Sequence, residues 1–435
     1  MITAPEASRP SRTVAGVAAW VALLLALLFQ AAVVLPEALQ REAGYDFRHF
    51  YVAGLTFLGG GNPYDGLQAE AAWQRLETGL PRHVAPIVPV EYGTAYPPIL
   101  AFLFAPVAML PYGVARVGWL GVNLACLAWL IARSLGAWAS GWAPPARVAA
   151  VAAALLLDPV RQCLGAGQLT LVVVGLALAA ADAEDRGRPR VAGVLYALAM
   201  VKFTCVLLIP VWLVVRRRWI TAAWLILALV VLDAVPILII GPAEFVAALR
   251  DTVALVRAIP INDPANVLGS YNVVSIDTLI YRVGHALQLD AAPALVPLIG
   301  AGALASLWPV RRLGSDPARA VAWLLLACLP CFNHRTYDAV VLVPTLFLLP
   351  SWTPDGGARR WLAYACIVPF LWASPYETLD PFTLTTVDVL FRQSYRNWAL
   401  LVLWGLVGAS LARGGGIDPR SASPGSQPGG SSPER

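Results

Sequence analysis

Apolar runs follow one another along the chain, many of them about 20 residues long, which is the length that a helix needs to cross a lipid bilayer. Charged residues make up only 13% of the 435 residues, and the mean hydropathy is +0.67. A water-exposed surface of this size would need far more charge. We therefore predict an all-α polytopic integral membrane protein with about 10–13 membrane helices. The runs lie at 14–36, 114–138, 147–163, 168–183, 191–215, 218–240, 291–310, 318–332, 338–352, 360–374 and 396–412, with a shorter one at 96–110.

Arginines cluster at the ends of several apolar runs, and such clusters mark the cytoplasmic side of a membrane protein. The net charge of +5 therefore reports orientation in a plasma (inner) membrane, and we expect no nucleic-acid partner. Residues 1–13 are predicted to be a cytoplasmic N-terminus before a retained first helix, and residues 413–435 a disordered cytoplasmic tail. The cytoplasmic clusters are 184–190, Arg216 to Arg218, Arg311 with Arg312, Arg359 with Arg360, and Arg413. The predicted outer loops are 37–95, 241–290, 333–337 and 375–395.

The run 191–215 carries cytoplasmic signals at both ends, which a single crossing does not satisfy. Lys202, the only lysine in the chain, lies near its midpoint in "AMVKFTCVLLIP". A hairpin with Lys202 at its apex resolves the conflict, because a charge at that depth is tolerated only where it lines a cavity. One long tilted helix with Lys202 snorkelling to the surface is the alternative. The same reasoning suggests that 96–110 is re-entrant rather than spanning.

Polar residues that membrane insertion does not explain fall in segments predicted to lie at the outer face. We predict that they meet in one extracytoplasmic pocket. Several also have simpler explanations: Asp46 is a favourable N-cap for a helix beginning at Phe47, and arginine and histidine are common at membrane interfaces. The candidates are Asp46, Arg48 and His49 in "YDFRHF", Tyr96 in "EYGTAYPP", Arg161 and Gln168 in "DPVRQCLGAGQL", and His334 and Arg335 in "FNHRTYD".

A carboxylate beside several cations suits one kind of reaction. The carboxylate removes a proton from a hydroxyl group while the cations stabilise an anionic leaving group, such as a phosphate. A donor with a lipid tail would place its phosphate at the outer ends of the helices, the level predicted for Lys202 and Arg161. The outer segments hold too few carboxylates for a divalent cation, so we expect no metal and no cofactor. The six cysteines are expected to be core residues without disulfides.

Several blocks of the sequence, in this order and spacing, resemble the polyprenyl-phosphate-sugar-dependent glycosyltransferases of family 87, which are of GT-C type. Mycobacterial members of that family include mannosyltransferases of phosphatidylinositol mannosides. The resemblance implies a membrane catalytic domain over 14–412, with an outer active site built around the first outer loop, 37–95, and its membrane-lying helices. The blocks are "YDFRHFYVAG", "GGNPYD", "YPPILAFLFAPVAMLP", "GAGQLTLVVVGLALAAADAEDRGRPRVAGVLYALAMVKF", "LLIPVWLVVRRRW" and "NHRTYD".

The resemblance also implies an activity: inverting transfer of a sugar, by analogy mannose, from a polyprenyl-phosphate donor to a hydroxyl group. By motif, Asp46 matches the general base. His334 matches a histidine that assists the base or binds the donor phosphate, and Lys202 matches a ligand of that phosphate. The remaining expected substrate-binding residues are Arg48, His49, Tyr96, Arg161, Gln168 and Arg335. The expected partners are the lipid-linked donor, a lipid-glycan or polysaccharide acceptor, and membrane lipids.

Other readings of the same residues stay open at this point. Relatives also use arabinofuranose donors, and nothing in the sequence selects the sugar. A multi-span transporter or lipid flippase would also have many spans, intramembrane polar residues and broken helices. Against it, the sequence shows no inverted repeat, and its largest polar segment is a loop outside the membrane. A membrane scaffold without catalytic activity is the third class.

Overall fold

The structure is a computed structural model that describes residues 12–40, 44–77, 94, 96–258, 272–311, 313, 316–354, 357–371 and 385–413. Every regular element in these residues is a helix, and the extended contact among them is one antiparallel bridge between Val273 and Arg335. The all-α prediction is therefore confirmed. The predictions for residues 1–11 and for most of the C-terminal tail fall outside the described residues.

Twenty α-helices follow one another along these residues, joined by short 3-10 and π-helical turns at Gln30–Val34, Met200–Lys202, Thr336–Val341, Val368–Phe370 and Asp388–Arg392. The α-helices are α1 Arg12–Phe29, α2 Leu35–Leu39, α3 Tyr45–Leu58, α4 Gly66–Glu77, α5 Ile99–Ala108, α6 Tyr112–Trp138, α7 Pro144–Leu156, α8 Asp158–Ala166, α9 Thr170–Asp185, α10 Pro189–Ala199, α11 Phe203–Val206, α12 Leu208–Val215, α13 Trp219–Ile240, α14 Pro242–Ala258, α15 Ile276–Leu287, α16 Ala292–Val310, α17 Pro317–Cys331, α18 Leu342–Trp352, α19 Gly357–Ala365 and α20 Tyr395–Arg413.

In the described part of the chain, five helical stretches are long and apolar enough to cross a membrane, and six if α7 and α8, bent by 46°, form one broken span. This number is below the 10–13 counted from apolar runs. The difference lies in helices too short to span alone, among them α5, α17 and the stretch Thr336–Trp352. Counted by length and composition alone, the five stretches are Thr13–Leu39, Tyr112–Trp138, Pro189–Val206, Trp219–Ile240 and Ala292–Val310; the third contains Lys202, where the chain turns back.

Apolar side chains lie both inside the protein and on its outer surface. α17 is buried along nearly its whole length and packs against α9, α16 and α20. In contrast, α1, α13 and α16 expose large apolar side chains, for example Trp20, Ile226 and Leu304. A soluble protein seldom exposes apolar patches of that extent. These faces therefore match the lipid-facing surface of a membrane protein.

The chain reverses direction at Lys202, as the hairpin prediction requires. α9 begins two residues after Gln168 and ends one residue after Glu184, and α10 packs back along it. Lys202 then reaches Gln168 again, with its Nζ 3.0 Å from Gln168 Oε1. After α12 the chain returns to the far end of α9, where Arg218 lies 3.6 Å from Glu184. Both ends of the run 191–215 are thus at the same end of the molecule, and the alternative of one long tilted helix is wrong.

Two ends of the molecule can now be named by their residues. The Lys202 end carries Lys202 and Gly167, and the Arg218 end carries Arg218 and Glu184. α6 connects them: Trp119 near its start donates from Nε1 to Gly167 O at 2.7 Å, and Arg133 near its finish forms an ion pair with Asp182 of α9. These contacts fix which charged residues share one side of the protein.

Glycine allows α8 and α3 to meet at the Lys202 end. α8 ends at Gly167, whose φ of +69° is a left-handed conformation that glycine adopts without strain. A Cβ atom at this position would lie 2.7 Å from Phe47 Cβ. Just before α3, Gly44 has a φ of +77° and donates its N–H to Gly165 O at 2.8 Å. The two helix ends therefore touch through backbone.

We predict that Gly167→Ala destabilises the protein by about 2–4 kcal/mol, since it adds both backbone strain and a clash with Phe47. Gly60→Ala is the matched control: Gly60 has a φ of +74°, but no described atom lies within 4 Å of the place that an added Cβ would occupy. The control therefore measures strain alone, about 1 kcal/mol. Chemical denaturation of both variants in detergent gives the difference; equal losses of stability would show that the approach to Phe47 costs nothing.

Candidate functional site

The contact between α8 and α3 brings Gln168 to Asp46. Asp46 lies in the first turn of α3, and Gln168 directly follows the terminating Gly167 of α8. Gln168 Nε2 donates to Asp46 Oδ2 at 2.6 Å, and its Oε1 accepts from Lys202 Nζ at 3.0 Å. A carboxylate on one side and an ammonium on the other fix the orientation of the amide. Gln168 thus links the acid of α3 to the lysine at the hairpin apex.

Lys202 is buried, with 7% of the residue exposed, and its ammonium is satisfied by three acceptors. Besides Gln168 Oε1, these are Thr170 Oγ1 at 2.9 Å and Asp338 Oδ1 at 2.6 Å. The ammonium also lies 4.7 Å from the centre of the Tyr337 ring. A buried charge without such partners would cost several kcal/mol. The position of Lys202 therefore depends on residues from other segments of the chain.

Asp338 completes the arrangement on the side of His334. Its Oδ1 accepts from Lys202 and from Thr170 Oγ1 at 2.6 Å. Its Oδ2 lies 3.1 Å from His334 Nδ1 and 3.3 Å from the backbone N of Arg335. We call Asp46, Gln168, Thr170, Lys202, His334 and Asp338 the polar array. It runs without interruption from the start of α3 to the turn after α17.

His334 presents one ring nitrogen to the array, while the other is not used by the described residues. Nδ1 faces Asp338, which favours the tautomer with its proton on Nδ1. Nε2 is buried and has no hydrogen-bond partner within the described part of the chain. Buried polar atoms without a partner are rare in folded proteins. With the proton on Nδ1, Nε2 holds a lone pair, so a ligand group that contacts it must bring a hydrogen.

The acid–base properties of the site differ along α3. Burial raises the pKa of Asp46 to about 6, and it outweighs the hydrogen bond from Gln168 and the charges of Lys202 and Arg335. A carboxylate with this pKa can take up and release a proton near neutral pH. Burial and then the charge of Arg48 lower the pKa of His49 to about 4, so its imidazole is neutral. Burial raises the pKa of Tyr96 to about 12.

The other predicted site residues take different places. Tyr96 Oη lies 3.5 Å from Gln168 Nε2, beside the array. The charge of Arg335 acts on Asp46. Arg48 stacks over the Trp73 ring at 5.2 Å on another face of α3. Arg161 is 2.8 Å from Glu37 and 3.0 Å from Asp158. The structure therefore brings Asp46, Gln168, Lys202 and His334 together, with Tyr96 and Arg335 adjacent, and places Arg48 and Arg161 in other contacts.

Two members of the array, Thr170 and Asp338, had no site role assigned to them from the sequence, although each had a local signal. Thr170 follows Gln168 by two residues, and Asp338 follows His334 by four, one turn later in "NHRTYD". Their role becomes visible only once Lys202 is placed between them, since a buried ammonium requires acceptors.

A second ionic network lies next to the array and was also missed. Asp158, at the start of α8, accepts from Arg396 Nη2 at 2.8 Å and from Arg161 Nε at 3.0 Å. Arg396 in α20 also lies 3.5 Å from Thr336 Oγ1, in the turn that carries His334. This network ties α8 and the His334 turn to the last helix. Arg161 is therefore paired within this network and is not part of the array.

One group of potential metal ligands occurs among the described residues. Donor atoms of Cys205, His334 and Asp338, all buried, lie within 4.8 Å of one another. Both carboxylate oxygens of Asp338 are already in use, one by the ammonium of Lys202 at 2.6 Å. A divalent cation would therefore sit beside a fixed positive charge, which opposes its binding. The group fits the ion pair with Lys202 better than a metal.

We predict a pH-dependent stability change for Asp46→Asn. The pKa of Asp46 in the folded protein, about 6, is above its ordinary value of 3.8, so folding favours the protonated form. The stability from that proton is complete below about pH 3.8 and is lost as pH rises through 6. Wild type therefore loses stability relative to Asp46→Asn over this range. Thermal unfolding of both proteins at a series of pH values measures the change; a difference that does not vary with pH would contradict it.

A family model matches the central part of the chain. Residues 94–332 match the family model of glycosyltransferase family 87. This region contains Gln168, Thr170 and Lys202, whereas Asp46 and His334 lie outside its two ends. The comparisons with curated proteins and with solved structures gave no match. Since the matched region covers more than half of the chain, the protein belongs to glycosyltransferase family 87 and is a membrane glycosyltransferase.

Proposed function

We propose that the protein transfers a sugar, mannose in our assignment, from a polyprenyl-phosphate donor to a hydroxyl group of a lipid glycan or polysaccharide. Transfer inverts the anomeric centre and takes place at the extracytoplasmic face, with Asp46 as general base. The observation that carries the proposal is the hydrogen bond of 2.6 Å from Gln168 to Asp46, which fixes a carboxylate with a pKa of about 6 at the end of the polar array. Asp46 is therefore both oriented and able to exchange a proton near neutral pH.

The proposed reaction is a single displacement. Asp46 removes the proton of the acceptor hydroxyl, and the hydroxyl oxygen forms a bond to the anomeric carbon of the sugar. The bond from that carbon to the phosphate oxygen breaks on the opposite face, and the electron pair leaves with the polyprenyl phosphate. One carboxylate is enough, because no covalent intermediate forms; inverting glycosidases use a base in the same way.

The leaving phosphate needs positive charge or hydrogen-bond donors. The three N–H groups of Lys202 are all used inside the array, so we assign Lys202 the role of a fixed charge that also holds Gln168. The phosphate ligand in this proposal is His334 through Nε2, which has no partner among the described residues. Since the Nδ1 proton faces Asp338, a phosphate at Nε2 would be held through a hydrogen shared between Nε2 and a phosphate oxygen. In this scheme no metal or cofactor takes part.

The distribution of arginines supports the choice of face. Exposed loop arginines cluster at the Arg218 end, in the loop 186–190 and at Arg217 and Arg218, whereas the arginines near the array are buried or partly buried: Arg48, Arg116, Arg161, Arg335 and Arg396. Exposed loop arginines mark the cytoplasmic side in most membrane proteins. The Arg218 end is then cytoplasmic and the polar array extracytoplasmic, where a lipid-linked donor in the plasma membrane would meet it.

The first test of the proposed function is Asp46→Asn. We expect transfer to fall by about 10²–10⁴-fold, since the amide does not accept the hydroxyl proton. Asp65→Asn is the control: Asp65 lies in the same loop and accepts from Leu67 N at 2.9 Å, a contact that asparagine keeps. Membranes receive radiolabelled polyprenyl-phosphate mannose or polyprenyl-phosphate arabinofuranose, and the products are analysed. Full activity of Asp46→Asn would exclude Asp46 as the base, and a product from the arabinofuranose donor alone would exclude mannose.

The pH dependence of wild-type transfer is the second test. Asp46 acts only when deprotonated, so kcat/KM should rise with pH up to about 6 and then level off. Below that pH the expected slope is about one decade per pH unit, the value for loss of one essential base. Initial rates at subsaturating acceptor, measured at constant ionic strength, give the profile. A rate that is flat between about pH 4 and pH 7 would contradict a base with this pKa.

A further inference from the structure

The polar array has a buried floor and a partly exposed rim. Every member of the array except Asp46 is buried, and three residues beside it, Tyr96, Arg335 and Tyr337, are partly exposed in the same way as Asp46. A side chain binds a substrate only from a face that the substrate can reach. The rim is therefore where a ligand would make contact. Tyr337 belongs to this rim, and no role has been assigned to it so far.

The ring of Tyr337 is held against the array. Its centre lies 4.7 Å from Lys202 Nζ, and an ammonium beside the face of an aromatic ring is a favourable contact. The next residue, Asp338, fixes the backbone of this turn, because its Oδ1 pairs with the same ammonium at 2.6 Å. The buried charge that orients Gln168 thus also places the Tyr337 ring.

The hydroxyl group of Tyr337 is not used within the described part of the chain. It forms no hydrogen bond there, and its oxygen is not buried. Burial of the residue and then the negative charge of Asp46 raise the pKa of Tyr337, so the hydroxyl keeps its proton at neutral pH. Asp46 and this hydroxyl are thus within electrostatic reach of each other without a hydrogen bond between them. A ligand group can lie between the two.

The order of the reacting groups locates the sugar relative to Tyr337. In the proposed displacement, the transferred sugar lies between the acceptor oxygen at Asp46 and the leaving phosphate at His334. Tyr337 follows His334 by three residues, and the charge of Asp46 reaches its hydroxyl. It therefore adjoins the middle of the reacting group rather than either end. A protonated phenol offers one donor and one acceptor, which matches the hydroxyl groups of a sugar.

We propose that Tyr337 binds the transferred sugar, with its hydroxyl group donating a hydrogen bond to a hydroxyl oxygen of that sugar. This inference rests on the proposed function and adds to it a residue that recognises the sugar of the donor. The ring stays on Lys202, and the hydroxyl extends to the substrate. Tyr96 is also at the rim, but its Oη already lies 3.5 Å from Gln168 Nε2 and so belongs in part to the array.

The test compares two lipids that differ by the sugar, polyprenyl-phosphate mannose and polyprenyl phosphate. Each is titrated without acceptor into the purified full-length protein in neutral detergent, and tryptophan fluorescence reports binding. Tyr337→Phe keeps the ring on Lys202 and removes only the hydroxyl group. We expect this variant to weaken binding of polyprenyl-phosphate mannose by about 3- to 10-fold, the usual loss for one hydrogen bond between neutral groups, with polyprenyl phosphate unchanged.

Tyr196→Phe is the matched control. It also removes one tyrosine hydroxyl, but Tyr196 is only 1% exposed, and its Oη is buried with no hydrogen-bond partner in the described residues. No ligand reaches this atom, so both lipids should bind to the variant as they bind to wild type. The same loss of polyprenyl-phosphate mannose binding in both variants would show an indirect effect and overturn the assignment.

Donor analogues that each lack one sugar hydroxyl identify the bonded group. The hydroxyl that Tyr337 contacts is the one whose removal weakens binding to wild type but no longer weakens binding to Tyr337→Phe. For the other analogues the two losses should add, because those sites do not interact. Losses that add for every analogue would mean that Tyr337 contacts no sugar hydroxyl, which contradicts the proposal.

The remaining outcomes separate this inference from the proposed function. Equal weakening of both lipids in Tyr337→Phe would place the effect at the phosphate, through Lys202, and unchanged binding of both would remove Tyr337 from the site; either result overturns the sugar contact. Binding of neither lipid to wild type would refute the proposed donor and the contact with it. The titrations are repeated in Asp46→Asn: if that variant still transfers sugar but keeps the Tyr337 effect, Asp46 is not the base and the sugar contact stands.

Discussion

The ammonium of Lys202 is the constraint on which the site depends. An apolar interior accepts a positive charge only with a full set of acceptors, and these come from Gln168, Thr170 and Asp338. Gln168 precedes α9 and Thr170 begins it, while Asp338 belongs to the turn after α17. One charge therefore fixes the relative positions of the hairpin apex, the break between α8 and α9, and the His334 turn. Asp46 joins this set through Gln168.

The close approach of two backbone segments, the end of α8 and the start of α3, also positions Asp46. At Gly167 a Cβ atom would lie 2.7 Å from Phe47 Cβ, so glycine lets the end of α8 approach the start of α3, and Gly44 takes the left-handed φ of +77° that precedes α3. The carboxylate that we assign as the base is thus held by a helix start on one side and by an amide on the other. Asp158 and Arg396 add a second tie, from α8 to the last helix. Contacts at several points thus fix the elements of the site relative to one another.

Much of the fold and of the candidate site could be predicted from the sequence. The rest could not, because it depends on contacts between segments that are distant in the chain. Apolar length and arginine clusters gave the helical class and the reversal at Lys202, since both reflect the membrane as a solvent. Asp46, Gln168, Lys202 and His334 stood out as polar residues at helix ends. Which acid would pair with Lys202 depends on the packing of α17 against α9, which leaves no periodic signal. The same is true of Arg161, which the sequence placed near the donor phosphate but which pairs with Glu37 and Asp158.

The order of the segments along the chain has a consequence for biosynthesis. Lys202 emerges from the ribosome soon after Gln168 and Thr170, but long before Asp338. Until α17 and the following turn have been inserted, the nascent hairpin holds an ammonium whose only protein partners in the array are neutral. Water or lipid headgroups must solvate it during this interval, because hydrocarbon does not. The ion pair between Lys202 and Asp338 therefore forms only after α17 and the following turn have been made, and a chain arrested before Asp338 keeps an ammonium without its carboxylate.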